Sequence, residues 1–321
     1  MSAEAPPQPR HYAEWLALRA AIGWVQRGDM HSAARKAAAL ARLGRRLLKS
    51  PDHWARVNPR LIFGEHLTDA QYNRLAQLAF ENIFLSHIEG VRASDVAFDT
   101  DGGETLRDAY AQGQGVICAA IHLGSWEPGL MHVARLGYPL SAVYRHANNP
   151  LAEQMFMAIR QPYGIGWIAR RDAKQTISVL KRKQMLGLMI DINTAEGGVA
   201  APFLGFPALC PAGPARLARK FGAPIVPMIA TREAPGRATL RIGPVLEPLP
   251  GEDDAAFTAR LNAAFTDWIV DYAHQYNWLH GRFKSRPDGR LWRRSEPLAS
   301  MMGERDTPFL TPSAKLLEAL A

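Results

Sequence analysis

The chain has few cysteines and no long apolar run. Cys118 and Cys210 are the two cysteines among its 321 residues, and no metal-ligand spacing accompanies them. They predict reduced thiols rather than a disulfide framework. One long uncharged stretch, residues 109–126, contains three glycines and a histidine. It therefore predicts a turn followed by a buried strand, and it argues against a membrane-spanning helix.

The amino terminus also lacks the pattern of a secretory signal. Residues 1–10 are rich in proline and contain no apolar segment after a basic start, so we expect no export by that route. Without a spanning helix, any contact with a membrane would be made by a protein lying on its surface.

Acidic residues are outnumbered by basic ones. The chain has 38 Lys and Arg against 30 Asp and Glu, a formal net charge of +8. This balance favours anionic partners such as nucleic acid, lipid headgroups or an acidic carrier protein. No helix-turn-helix, RNA-binding or zinc pattern accompanies the charge, so we expect no nucleic-acid partner. The H-E-x-x-H motif and its relatives are absent as well, so we expect no metal.

The first fifty residues have the composition of surface helices. Within residues 11–27, Trp15, Leu18 and Ile22 recur at helical spacing, and residues 31–49 carry six Lys and Arg with no acid. Apolar residues followed by a basic helix are typical of an anchor at the membrane interface. The alternative is a helix that caps the core and exposes a basic face to solvent.

Strand and helix patterns alternate through the rest of the chain. Helical segments separate apolar stretches that we interpret as strands, at residues 140–144, 166–169, 185–192, 223–230 and 238–242. A capping box from Thr68 to Gln71 opens an earlier helix. The alternation predicts an α/β layered domain with a central, mainly parallel or mixed sheet flanked by helices.

One apolar strand leads directly into groups that can perform chemistry. It ends at His122 and a turn containing Gly124, and Glu127 follows the histidine by five residues. An imidazole can take a proton from a hydroxyl near neutral pH, and a carboxylate can fix its tautomer. No serine lies in a nucleophile elbow, which favours the substrate's own hydroxyl as nucleophile in an acyl transfer. The alternative is a structural histidine at a strand end.

Further charged groups follow other predicted strands. Arg145 and Asp191 come at the ends of two of them, and Glu196 precedes a Gly-Gly pair. The carboxyl ends of parallel strands share one edge of a sheet, so we expect Arg145 and His122 to meet there. A guanidinium at that edge can bind a phosphate or an oxyanion. The alternative is a surface arginine and ordinary turn carboxylates.

Two basic clusters are candidates for contact with phosphates. Arg170 and Arg171 follow a short strand, and Arg282, Lys284 and Arg286 alternate with aromatic residues. They are suited to phosphates on a lipid or on the pantetheine arm of a carrier protein. A solvated surface is the alternative for both clusters.

These segments together resemble the bacterial lipid A late acyltransferases, within the wider H-x4-D/E acyltransferase family. The resemblance rests on His-Leu-Gly-Ser-Trp-Glu at 122–127, on the Arg145 and Asp191 segments, and on Trp-Leu-His-Gly-Arg-Phe-Lys-Ser-Arg-Pro at 278–287. It implies a glycerol-3-phosphate acyltransferase-like fold, with His122 as general base and Glu127 as its catalytic partner. Substrate contacts are expected from Gly124, Arg145, Arg170, Arg171, Asp191, Glu196, Arg282, Lys284 and Arg286.

The resemblance also implies an activity and a location. The enzyme would move a fatty acyl group from an acyl carrier protein thioester to a hydroxyl of a lipid A precursor, without a cofactor. It would lie on the cytoplasmic face of the inner membrane, peripheral or monotopic, and bind anionic lipid. Membrane-interface helices are expected at 1–50, a catalytic domain at 51–290 and a peripheral tail at 291–321.

The sequence departs from the family at one point and leaves alternatives open. Family members usually carry Asp-Gln where this chain has Asp191-Ile192-Asn193, so the amide is missing or displaced to Asn193. The acceptor can instead be a lysophospholipid, an ornithine-type lipid or a mannosylated lipid, with acyl-coenzyme A as donor. A basic membrane-binding scaffold without catalysis is the alternative outside enzymes.

Overall fold

The computed structural model describes residues 7–321. Residues 1–6, part of the segment predicted to lie at the membrane interface, are outside the described residues. The helices are α1 Pro9–Val25, α2 Met30–Leu47, α3 Lys49–Phe63, α4 Asp69–Val91, α5 Gly103–Ala111, α6 Trp126–Arg135, α7 Pro150–Arg160, α8 Ala173–Lys181, α9 Gly213–Phe221, α10 Asp254–Ala263, α11 Thr266–Asp271, α12 Leu298–Met302 and α13 Ala314–Leu320. The strands are β1 Ala97–Asp101, β2 Val116–Gly124, β3 Leu140–Tyr144, β4 Gly166–Ala169, β5 Met185–Met189, β6 Gly198–Phe203, β7 Phe206–Pro211, β8 Ile225–Ala234 and β9 Arg237–Ile242.

Seven strands form one mostly parallel sheet in the order β1-β9-β8-β2-β5-β3-β4. The pairs from β8 across to β4 are parallel, and β9 runs antiparallel to β8. The predicted α/β fold with a mainly parallel or mixed sheet is therefore confirmed. Strands β6 and β7 form a separate antiparallel hairpin, which the sequence analysis did not predict.

The central strand β2 is apolar on both faces because helices cover the sheet on both sides. Ile117, Ala119 and Ile121 belong to one core cluster, whereas Val116 and Cys118 belong to another. This alternation follows from the two-residue period of a strand. The residue that ends the apolar run, His122, is thus placed by a strand that is buried along most of its length.

The first two helices pack against the body of the protein. A stripe of small residues on α2, including Ala33, Ala37 and Ala41, is buried, and Gly44 lies against the ring of Phe84 in α4. Small residues at this spacing let two helices approach closely. Within residues 7–321, none of the helices combines the length and the apolarity needed to cross a bilayer.

Two features of the C-terminal third differ from the expectations. Apolar residues between Phe257 and Tyr272 keep one helical face and predict a single long helix that begins at Asp253 or Asp254. The structure has two helices there, because the Phe265 N–H bonds to the Asn262 carbonyl in an i→i−3 pattern and ends α10. The segment expected to be a peripheral tail, 291–321, contributes Trp292 and Met301 to the buried core. The expected boundary near residue 50 lies in the first turn of α3.

Candidate active site

The end of β2 is irregular, and this irregularity places His122. The pairing of β2 with β8 shifts register between Ala120 and Gly124, as β-bulges often do near functional sites. Gly124 has a φ of 59°, and a Cβ there would collide with the carbonyl oxygen of Ala230. Glycine is therefore required by the approach of β8. We had expected Gly124 to approach substrate, and the close neighbour is instead this strand.

Asp191 holds both the ring and the backbone of His122. It lies just past the end of β5, the parallel neighbour of β2, so the two residues meet at one edge of the sheet. The His122 Nδ1–H donates to Asp191 Oδ1 over 2.8 Å, and the backbone N–H of His122 donates to Oδ2 over 2.9 Å. With Nδ1 engaged, Nε2 is the ring nitrogen that remains to take a proton.

The interaction between His122 and Asp191 shifts the pKa values of both residues in favour of their charged forms. Burial alone would lower the pKa of His122, but the negative charge of Asp191 and the hydrogen bond to it raise that pKa above its usual value. Burial alone would raise the pKa of Asp191, and the interactions with His122 outweigh it and lower that pKa. The Asp191 side chain is 2% exposed, whereas His122 is 27% exposed. The histidine is thus the member of the pair that substrate can reach.

Glu127 is not the hydrogen-bond partner of His122 as the sequence analysis expected. It lies in the first turn of α6, where its Oε1 accepts a hydrogen bond from Arg160 Nε over 2.6 Å. The Arg160 guanidinium stacks 4.7 Å from the centre of the Trp167 ring, which fixes its position. Asp191 takes the place at Nδ1 because β5 lies directly beside β2.

His122 faces a cleft of about 810 Å³ between α1, α4, α6 and α7. This volume is in the range of about 300–1,000 Å³ that small-molecule sites occupy. Apolar side chains such as Leu18, Ile22 and Phe156 form much of its wall. Polar groups are few and converge, namely His122, Glu127, Arg145, Glu153, Arg160, His87 and Asn277. The arrangement suits a molecule with a long apolar part and an anionic head.

The comparisons with known proteins decide the family. The family model described as bacterial lipid A biosynthesis acyltransferase matches residues 5–285. The chain belongs to this family. It is therefore an acyltransferase, which confirms that interpretation of the motifs.

Curated relatives of this chain also carry the names of acyltransferases. The chain is 28% identical over 291 residues to the lipid A biosynthesis palmitoleoyltransferase of Escherichia coli (strain K12), covering 88% of this chain and 94% of that protein. It is 28% identical over 292 residues to the lauroyltransferase of the same strain, with the same coverage of both chains. A phosphatidylinositol mannoside acyltransferase of Mycobacterium tuberculosis (strain ATCC 25618 / H37Rv) is 28% identical over 182 residues, which is 55% of this chain and 56% of that protein.

The expected substrate contacts of the acyltransferase are only partly brought together. Arg145 lines the cleft, and Asp191 lies behind His122. Arg170, Arg171, Lys284 and Glu196 are exposed, and within the described residues they do not line the cleft. Contact of these four residues with substrate therefore stays a prediction.

Arg282 and Arg286 are corrected from substrate contacts to structural residues. Both are 2% exposed. Arg282 donates to the Leu209 carbonyl over 2.9 Å, and Arg286 donates from Nε to Glu304 over 2.7 Å. Their guanidinium groups stack on Phe203 and Phe206 at 4.5 and 4.9 Å. They hold the β6–β7 hairpin against the C-terminal segment. The sequence did not indicate this role, because it predicted neither the hairpin nor the contact with Glu304.

Replacing Arg286 with methionine should therefore destabilise the acyltransferase. The change leaves Glu304 without its buried partner, and breaking such a pair costs about 3–5 kcal/mol. We expect the lower end of that range in chemical unfolding, since Arg290 still contacts Glu304. Lys284→Met, an exposed neighbour, should change the free energy of unfolding by less than about 0.5 kcal/mol. Equal stability of the two variants would contradict the structural role.

A buried polar network fixes the turn that follows His122. Ser125 donates to Glu89 Oε2 over 2.7 Å, and Arg232 binds both oxygens of the same carboxylate at 2.7 and 2.6 Å. Such bidentate pairs are geometrically specific. The Ser125 hydroxyl is thus held by Glu89 of α4, which Arg232 of β8 binds in turn.

Sequence reasoning missed Arg160, Tyr276 and His280. Burial and the charge of Asp191 raise the pKa of Tyr276 well above its usual value. His280 Nε2 accepts a hydrogen bond from the Asn193 backbone over 2.8 Å, and the Asn193 side chain bonds to Ser285. His280 lay inside the most specific motif at 278–287, so its spacing offered a signal. Arg160 ends an amphipathic helix and offered none.

Proposed function

We propose that this acyltransferase moves a fatty acyl group from an acyl carrier protein thioester to a hydroxyl of a lipid A precursor. The observation that carries the proposal is the His122–Asp191 pair, which opens into an apolar cleft with arginines among its polar groups. His122 acts as general base. Asp191 orients its ring and stabilises the protonated imidazolium. Family membership supports the reaction class, and the basic net charge of +8 suits an acidic donor and an anionic acceptor.

In the proposed reaction one histidine first accepts a proton and later returns it. His122 Nε2 takes the proton of the acceptor hydroxyl as its oxygen attacks the thioester carbonyl. The carbonyl oxygen becomes an oxyanion, and its collapse breaks the carbon–sulfur bond. The imidazolium then returns the proton to the departing thiolate. Asp191 stabilises the imidazolium while it exists, since its own pKa is lowered by the pair.

The start of α6 is placed to support the oxyanion. Trp126 and Glu127 open this helix and line the cleft beside His122. The amino end of a helix carries a partial positive charge and free N–H groups. We assign the amides of Trp126 and Glu127 to the oxyanion, because Pro128 has no N–H and Gly129 N–H already donates to the Ser125 carbonyl. Fixed donors contribute strongly in this role because they need no reorganisation.

The cleft separates the apolar and anionic parts of the substrates. Leu18, Ile22 and Phe156 would contact the acyl chain, for which each buried CH₂ contributes about 0.8 kcal/mol. Arg145 and Arg160 would contact phosphates. Glu127 acts through Arg160, since its carboxylate holds that guanidinium at the cleft. It therefore stays a proposed catalytic-site residue, with a positioning role.

The location proposed is the cytoplasmic face of the inner membrane, with the first two helices at the interface. Tyr12, Leu16 and Trp24 on α1 are exposed although they are large and apolar or aromatic. Exposed basic side chains of α2, Arg35 and Arg42 among them, lie on the face opposite the buried stripe. This combination favours binding to an anionic bilayer.

Removing charge from α2 should weaken that binding. In Arg35→Gln/Arg42→Gln/Arg46→Gln we expect about 3 kcal/mol less binding free energy, about 1 kcal/mol per charge, and binding of the unaltered protein should weaken with salt. Sedimentation with anionic vesicles measures both effects. The substitutions are preferable to deleting α2, whose small residues pack on α4. Full sedimentation of the triple variant at high salt would place the anchor elsewhere.

A second acceptor is favoured by one observation. The mycobacterial relative named above is called a phosphatidylinositol mannoside acyltransferase, so a mannosylated lipid with acyl-coenzyme A as donor remains a candidate. Mass spectrometry of total lipid from cells with and without the protein distinguishes them. The proposal expects a lipid A species heavier by one acyl group when the protein is present. A gain confined to a glycerolipid fraction would favour the second acceptor.

A further inference from the structure

A cationic groove lies at the start of α3, on residues that the proposed reaction does not use. Lys49 and His53 line one side, and Arg293, Arg294 and Ser295 line the other, around an open volume of about 600 Å³. The second side is anchored, because Trp292 is buried and its indole N–H donates to Glu304 over 3.1 Å. The groove is thus made by two fixed segments that are distant in the sequence.

The positive charge of this groove is not neutralised within the described residues. No carboxylate there forms an ion pair with Lys49, Arg293 or Arg294, and Glu296 pairs with neither arginine. Asp52, in the first turn of α3, pairs with Arg45 and Arg56 instead. Three cations held together without an acid favour an anion as ligand.

One side chain that lines the groove also has an unpaired polar atom. His53 Nε2 is buried and has no hydrogen-bond partner in residues 7–321. Burial, and then the charges of Arg294 and Arg56, lower the pKa of this imidazole, and a bound anion would offset the two charges. The 15-residue helix α3 begins without a side-chain cap, so its positive end adds to the same field.

Exposed leucines adjoin the groove and indicate where the anion comes from. Leu47 and Leu48 directly precede Lys49 and are 66% and 45% exposed, and Leu43 lies one helical turn before Leu47. A soluble phosphate would need no apolar surface beside its site. Leucines next to an open cationic groove fit the boundary between headgroups and acyl chains of a bilayer.

We infer that the groove of Lys49, His53, Arg293 and Arg294 binds the headgroup phosphate of an anionic membrane lipid, with Leu43, Leu47 and Leu48 entering the bilayer beside it. This inference rests on the proposed membrane association and adds to it a defined lipid site. The site joins the N-terminal helices to the segment after residue 290, so it orients the whole domain on the membrane surface.

The test compares two double variants of the full chain on vesicles of phosphatidylcholine with or without phosphatidic acid. Arg293→Gln/Arg294→Gln removes two charges from the groove. Lys181→Gln/Arg182→Gln removes two exposed charges at the end of α8. We expect the groove variant to bind phosphatidic acid vesicles about tenfold to thirtyfold more weakly, and the control to change by less than about twofold. Thermal unfolding of both should match the unaltered protein.

Several results would overturn the inference. Equal weakening by both variants would show a general charge effect, and equal binding of the unaltered protein to both vesicles would exclude a site for an anionic headgroup. Soluble glycerol 3-phosphate that releases the protein from the vesicles would show that a free phosphate suffices. Intact vesicle binding with loss of transfer from the carrier protein would make the groove a protein-docking surface. Acyl transfer measured in detergent micelles tests the proposed function separately.

Discussion

Replacing His122 with alanine is expected to lower the rate of acyl transfer by about 10²–10⁴-fold, the usual loss when a general base is removed. The variant should still fold, because His122 is partly exposed and contributes little to the core. Binding to vesicles should be unchanged, since the residue lies in the cleft between α1 and α4. Steady-state transfer of a labelled acyl group measures the effect.

A specific result for His122→Ala would contradict the role of His122 as general base. Turnover within a few-fold of the unaltered protein, with a normal thermal unfolding curve, would show that His122 is a structural histidine. A variant that loses activity and unfolds at a much lower temperature would be compared with His122→Gln, which keeps most of the side-chain volume but has no general base.

Replacing Asp191 with asparagine is expected to lower the rate on the order of 10²-fold or more, because the imidazolium loses its carboxylate and the ring its preferred tautomer. The loss should also move the pH profile. Asp191 raises the pKa of His122, and the base works only when neutral, so activity falls as the pH falls through that pKa. In Asp191→Asn the pKa drops, and the acid limb should shift to lower pH.

Glu127→Gln is the matched comparison, since it also removes one negative charge near the cleft. It frees Arg160 from its partner, and its rate should fall between those of the unaltered protein and His122→Ala. Its acid limb should stay in place, because Glu127 does not hold Nδ1 of His122. If Glu127→Gln shifts the limb and Asp191→Asn does not, the assignment of Asp191 is wrong.

Local patterns were sufficient to predict several of the elements. Strands β3 and β4 have the predicted bounds, and the capping box at Thr68 opens α4 as expected, because both depend on neighbouring residues alone. The hairpin β6–β7 was missed because its strands contain Pro202, Pro207 and Pro211. Proline there argues against a strand, and the contacts from Arg282 and Arg286 that help to hold the hairpin come from distant parts of the chain.

The partners of the site residues could not be predicted in the same way. The apolar run before His122 was enough to predict that this residue lies near the end of a strand. Its bond to Asp191 depends on β5 being the neighbour of β2, which is a property of sheet order and not of spacing along the chain. The burial of Arg286 likewise depends on Glu304 and Trp292 from a segment taken to be peripheral.

Transfer of a labelled acyl group from purified acyl carrier protein to a detergent-solubilised lipid A precursor tests the central claim most directly. The purified protein should form a product heavier by one acyl chain, with the donor thiol released in equal amount. His122→Ala in the same assay should form it about 10²–10⁴-fold more slowly. Product formed at equal rates by both proteins, or no product from the unaltered one, would contradict the account.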